Sequence, residues 1–147
     1  MGSLKSNGID SLSLDLSELA YLPDRIVADM LHAEADVILS AQRSEIESQW
    51  KGPYSLGISA KSIRKGRVKK GKEGASISIY PQGSRKRGKK TVKPVRNAEI
   101  AFINEYGAPK RNIRARPALK SAIEKTEDEA AATGEKVYMA YLDSKNL

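Results

Sequence analysis

Apolar side chains recur at Val27, Met30, Leu31, Ile38 and Ala41, with Ile26, Ala33 and Val37 widening the stripe. This spacing predicts an amphipathic helix. It opens at Asp24, a capping residue type placed after Pro23, and ends before Gly52-Pro53, the strongest break in the chain. A helix over 24–50 is about 40 Å long at its usual rise per residue. That exceeds what one small sheet covers, so part of its face is expected to be buried by another subunit.

After the break, 55–63 reads as a loop leading into a strand. From Ile63 to Lys70 both faces of the alternation are basic, which predicts an edge strand or an extended arm. A turn at Gly71-Lys72-Glu73-Gly74 follows. Ala75, Ile77 and Ile79 then alternate with Ser76, Ser78 and Tyr80, the pattern of a half-buried strand, and the two strands form a hairpin. Residues 81–95 lack an apolar period and predict a mobile basic loop bounded by short strand ends. The segment 98–106 fits a strand through Ile100 and Phe102, or a helix through Ile103 and Tyr106; Gly107 stops either. Pro117 suits a first helical position. Ala118, Leu119, Ala122, Ile123 and Thr126 mark a helix that Gly134 is expected to end, and Val137, Tyr138, Tyr141 and Leu142 suggest a last short helix. The fold class is therefore α+β: a small antiparallel sheet, the hairpin plus one further strand, packed on a long N-terminal helix, with C-terminal helices. Residues 1–20 read as a flexible arm and 21–147 as one domain.

Charge sharpens this picture. The 147 residues carry 26 Lys and Arg against 18 Asp and Glu, a net of +8, but the placement is uneven. Residues 1–50 hold 3 basic and 9 acidic side chains, 51–120 hold 20 and 3, and 121–147 hold 3 and 6. A basic centre between acidic ends suits nucleic-acid binding, or an assembly in which acidic surface meets basic surface. No apolar stretch approaches a membrane span, and the first residues lack the apolar core of a signal peptide.

Candidate chemistry is sparse. With no Cys and one His, thiolate sites, disulfides and His-rich zinc sites are excluded, and a Ser-His-Asp triad is disfavoured. Glu45, Glu47, Glu99 and Glu105 lack the companion groups that acid–base catalysis requires, and ion pairing with the surplus cations accounts for them. No catalytic, cofactor-binding or metal-binding residues are expected. The basic residues Arg64, Arg67, Lys69, Lys70 and Lys72 on the hairpin, with Arg85, Lys86, Arg87, Lys89 and Lys90 in the loop, are candidates for phosphate or protein contact. No aromatic residue interleaves the loop run, so stacking on single strands is unsupported. A corner at Glu105-Tyr106-Gly107 is followed by Arg114-Ala115-Arg116-Pro117. Glu105 is placed to pair with Arg114 or Arg116 and hold the loop in one geometry.

That corner resembles one in a family of tailed-bacteriophage head–tail joining proteins, the neck, tail-completion or minor tail-component proteins. These carry a Glu-Tyr/Phe-Gly turn, a variable loop, then Ala-Arg-Pro and an apolar helix. Glu105-Tyr106-Gly107 and Ala115-Arg116-Pro117-Ala118-Leu119-Lys120-Ser121-Ala122 occupy those places. Upstream, Pro53 and Gly57-Ile58-Ser59-Ala60-Lys61-Ser62-Ile63 are similar to the family's approach to its hairpin. The similarity spans roughly 20–145, with Ala118 standing where an aromatic residue is common and a longer, more basic loop at 81–94. The resemblance implies a non-enzymatic virion protein, present in the host cytoplasm during assembly. It implies a homo-oligomeric ring, often a hexamer, that completes the tail or joins it to the filled head. The implied partners are a head-closure or connector protein, the tail tube or a tail terminator, and genomic DNA crossing the lumen without sequence readout. No cofactor and no membrane are implied. In such a ring the acidic helix 24–50 or the acidic segment 121–147 would face the basic 61–96 region of the next subunit.

Overall fold

A computed structural model describes residues 5–7, 11–15, 22–51, 57–72, 74–86 and 93–145. In chain order the elements are β1 (Lys5–Asn7), β2 (Ser11–Asp15), α1 (Asp24–Gln49), α2 (Ile58–Ser62), β3 (Ile63–Lys65), β4 (Lys69–Gly71), β5 (Gly74–Pro81), β6 (Ser84–Arg85), β7 (Val95–Arg96), α3 (Asn97–Tyr106), a 3-10 turn (Pro109–Arg111) and α4 (Ala118–Ser144). The architecture is α+β, as the residue pattern predicts.

The core is built on α1 and α4, which pack along much of their lengths. The buried stripe of α1 is Ile26, Val27, Met30, Leu31, Glu34, Ala35, Ile38, Gln42 and Ile46. It keeps the three- and four-residue spacing of one helix face. Its centre lies to one side of the apolar stripe read from the sequence, because two polar residues, Glu34 and Gln42, belong to it. Asp24 enters as the first helical residue rather than as a side-chain cap, and its carboxylate pairs with Lys70 of β4. Much of the cover that the length of α1 demands comes from α4 of the same chain.

The second partner of α1 is the sheet. β5 is its central strand, paired antiparallel with β2 on one side and with β3 and β4 on the other. Ala75, Ile77 and Ile79 are buried and Ser76 and Ser78 are half-buried, the alternation that the sequence predicts. The basic first arm of the hairpin is broken into β3 and β4 at Gly66, whose N–H bonds Ser78 O at 2.7 Å while the Tyr80 ring lies over it. The N-terminal segment read as an arm supplies β1 and β2, with Ser11 opposite Ser78 and Asp15 opposite Gly74.

Three expectations are corrected. Residues 58–62, expected as loop, form the one-and-a-half-turn helix α2, entered through Gly57 in the left-handed region (φ 71°). The ambiguous segment 98–106 is helix: α3 runs Asn97–Tyr106 and ends as the Gly107 N–H bonds Ile103 O at 2.8 Å. Gly134 does not end a helix; α4 continues to Ser144 as one element of 27 residues. Glycine costs a helix interior about 1 kcal/mol relative to alanine. Here it is buried against Glu34 of α1, and a Cβ would collide with that side chain, so close helix packing accounts for it.

Candidate functional site

The corner between α3 and α4 is the most tightly organised polar feature of the described residues. Glu105 is 2 % exposed. Its two carboxylate oxygens each accept a backbone N–H from the first turn of α4, Oε2 from Leu119 and Oε1 from Lys120, both at 2.9 Å. The expected Glu105 pairing with Arg114 or Arg116 is therefore replaced by a helix cap. The first amides of a helix have no partners within it and carry the positive end of its dipole, so a buried carboxylate is well placed there. Pro117 precedes the helix and supplies no side-chain cap of its own.

Arg116 serves a different set of acceptors. Its Nη2 donates to Asn104 Oδ1 at 2.8 Å and its Nη1 to Gln49 O at 3.1 Å and Lys51 O at 3.4 Å. Its own carbonyl accepts the Trp50 indole N–H at 2.8 Å, and its N–H donates to Asn104 O at 2.8 Å. Arg116 thus joins the end of α1, the end of α3 and the start of α4. Gly107 (φ 77°, ψ 178°) makes the turn, and a Cβ there would stand 2.8 Å from both Ala115 N and Ile113 O. Trp50 and Asn104 were not singled out by sequence reasoning; the signal was a single Trp two residues before Gly52-Pro53.

Tyr106, the third residue of the corner motif, faces outward. It is 54 % exposed and lies 4.8 Å, ring centre to ring centre, from Phe102, which is 61 % exposed. The four-residue spacing sets both rings on one face of α3. An open depression lined by Arg96, Ala98, Glu99, Phe102 and Ile103 adjoins them. Arg114 is exposed, as are Lys110 and Arg111 of the 3-10 turn.

The basic residues divide into three groups. Arg64, Arg67, Lys69 and Lys72 are exposed on the β3–β4 arm and Lys86 on the short chain after β6. Two cations of the arm are used within the chain: Lys65 pairs with Asp36 of α1 at 2.6 Å, and Lys70 with Asp24. Arg85 is half-buried and structural. Its Nε donates to Asn97 Oδ1 and its Nη2 to Ser59 Oγ, both at 2.8 Å, tying β6 to α2 and α3. Arg87, Lys89 and Lys90 lie outside the described residues.

Glu34 carries the strongest electrostatic signature. It is 3 % exposed, Oε2 has no hydrogen-bond partner among the described residues, and burial pushes its pKa from 4.5 up to about 7. Glu45 is shifted the other way, held below the usual carboxylate range by hydrogen bonds from Lys125 and Gln49. Glu34 lies between α1 and α4, against the backbone of Gly134. Among the described residues no group of three His, Asp or Glu side chains could hold a metal ion, and no helix is long and apolar enough to cross a membrane. The chain matches no known protein family, no curated protein and no solved structure.

Proposed function

We propose that this chain is an assembly protein of the neck or tail-completion kind found in tailed bacteriophages, acting by ring formation between the head-side connector and the tail tube. The observation that carries the reading is where the charge lies. Much of the acidic surface of α1 meets the basic arm or α4 of its own chain, through Asp24–Lys70, Asp36–Lys65 and Glu45–Lys125. The outer face of α4 and the exposed cations of the β3–β4 arm and the 109–114 turn are left to meet other molecules. The element order supports the same reading, as does the corner of Glu105, Gly107 and Arg116, where the resemblance to that family is strongest. Polar contacts of this kind govern register and partner choice more than raw affinity. In a ring, the same cations would lie near DNA as it passes, without reading its sequence.

The test is the composition and image of the particle. The chain is expected in purified tailed virions, in density between head and tail. Virions that contain none of it would overturn the reading. Replacing Lys86, Arg87, Lys89 and Lys90 with Ser separates the loop's role from folding, because Arg85 is kept; reduced virion yield or DNA retention is the expected result.

A second reading, a module that binds nucleic acid, is favoured by Arg64, Arg67, Lys69 and Lys72, exposed together on the arm. Duplex-DNA binding should then weaken with salt by a log–log slope of about −0.9 for each phosphate contacted. A flat salt response excludes it.

A further inference from the structure

The exposed ring pair on α3 and the outer stripe of α4 are complementary surfaces on opposite ends of one molecule. Phe102 and Tyr106 form an exposed aromatic pair, and the loop that leaves α3 carries the exposed cations Lys110, Arg111 and Arg114. Along α4, the exposed positions Glu124, Asp128, Ala132, Glu135, Met139 and Asp143 follow one another at three- and four-residue spacing and so share a face. Met139, 47 % exposed, is the one large apolar side chain of that stripe, and four carboxylates accompany it. Among the described residues no ion pair engages Asp128, Glu135 or Asp143.

The two surfaces cannot meet within one chain. Glu105 fixes the end of α3 against the first turn of α4, at Leu119 and Lys120. Met139 lies 20 residues further along the same continuous helix, a distance of about 30 Å. An aromatic knob followed by a basic loop at one end, and a Met on an acidic stripe at the other, are complementary only between molecules.

We propose that the Phe102–Tyr106 knob, with Lys110, Arg111 and Arg114, docks on the Asp128–Asp143 stripe around Met139 of a second copy of this chain. The contact is heterologous: each molecule presents its knob to one neighbour and its stripe to the other, so copies close into a ring or run on as a filament. The aromatic rings supply the desolvated centre and the charges the orientation. This rests on the assembly reading and names the surfaces through which it acts.

Charge reversal tests it directly in solution by light scattering after size exclusion. The wild-type chain should form oligomers. Phe102→Ser with Tyr106→Ser should weaken self-association about thirtyfold or more, the effect of losing an interface anchor, with circular dichroism and thermal melting unchanged because both rings are exposed. A knob variant (Lys110→Glu, Arg111→Glu, Arg114→Glu) and a stripe variant (Asp128→Lys, Glu135→Lys, Asp143→Lys) should each be monomeric. Mixed in equal amounts they should regain oligomers, in which the native contact and the charge-reversed contact alternate. Both sets of reversals in one chain should restore oligomers. A wild-type chain that is monomeric at its highest soluble concentration overturns the proposal, as do oligomers that persist in every variant. The latter leaves the assembly reading intact, and absence of the chain from virions overturns that reading whatever the oligomers do.

Discussion

The carboxyl of Glu34 on α1 lies against the backbone of Gly134 on α4, so close that a Cβ on Gly134 would stand 2.6 Å from Glu34 Cδ and 2.7 Å from its Cγ. The missing side chain on one helix is the space in which the buried acid of the other sits. This relationship places a titratable group in the centre of the main helix pair, and it makes stability depend on pH.

Burial raises the pKa of Glu34 from 4.5 to about 7. The folded chain therefore keeps a proton that the unfolded chain has released. The stability this group contributes is fully present below 4.5 and is lost as pH rises through about 7. A shift of that size corresponds to about 3 kcal/mol. Glu45 works in the opposite sense and only at lower pH, since its pKa is depressed. Urea denaturation at about pH 5 and pH 8 should show the loss on the alkaline side, and Glu34→Gln should flatten it. An unchanged pH profile in Glu34→Gln would show that another group is responsible.

Gly134→Ala should destabilise the chain by about 2 kcal/mol, although alanine is the better helix former by about 1 kcal/mol. In a Glu34→Ala background, where the carboxyl is gone, the same substitution should become neutral or stabilising. The double-mutant cycle isolates the contact; additive effects would mean that the two residues do not share it.

Glu105→Ala should cost about 3 kcal/mol, because two amides at the start of α4 lose their acceptor inside the fold. Hydrogen exchange should rise first at Leu119 and Lys120. Glu105→Gln keeps one acceptor oxygen and should recover part of the loss. Equal exchange rates in wild type and Glu105→Ala would remove the cap from the account.

Arg116→Lys should cost about 1–2 kcal/mol, since an ammonium cannot serve Asn104 and the carbonyls at the end of α1 together as the planar guanidinium does. Trp50 fluorescence reports the same corner, because its indole N–H bonds the Arg116 carbonyl. Gly107→Ala should be worse, about 3 kcal/mol, through its positive φ and the crowding at Ala115 and Ile113. A Gly107→Ala chain that melts like the wild type would contradict the geometry.

The sequence alone determined those elements whose signal is periodic and local. The long helix from Asp24, the half-buried strand Ala75–Tyr80 and the helix after Pro117 follow from the spacing of apolar residues, and Gly107 follows from a turn that needs a residue without a Cβ. Tertiary structure decided the rest, because those interactions join residues far apart in the chain. Glu34 and Gln42 stand outside the apolar stripe legible in the sequence, yet both are buried in the fold. Gly134 reads as a helix stop, and Glu105 as half of an ion pair with a nearby Arg, until the packing of α1 on α4 and of α3 against its first turn is known. A glycine's local cost and a carboxylate's charge are legible in one dimension. Whether a buried neighbour or a row of free amides offsets them is settled only when distant segments meet.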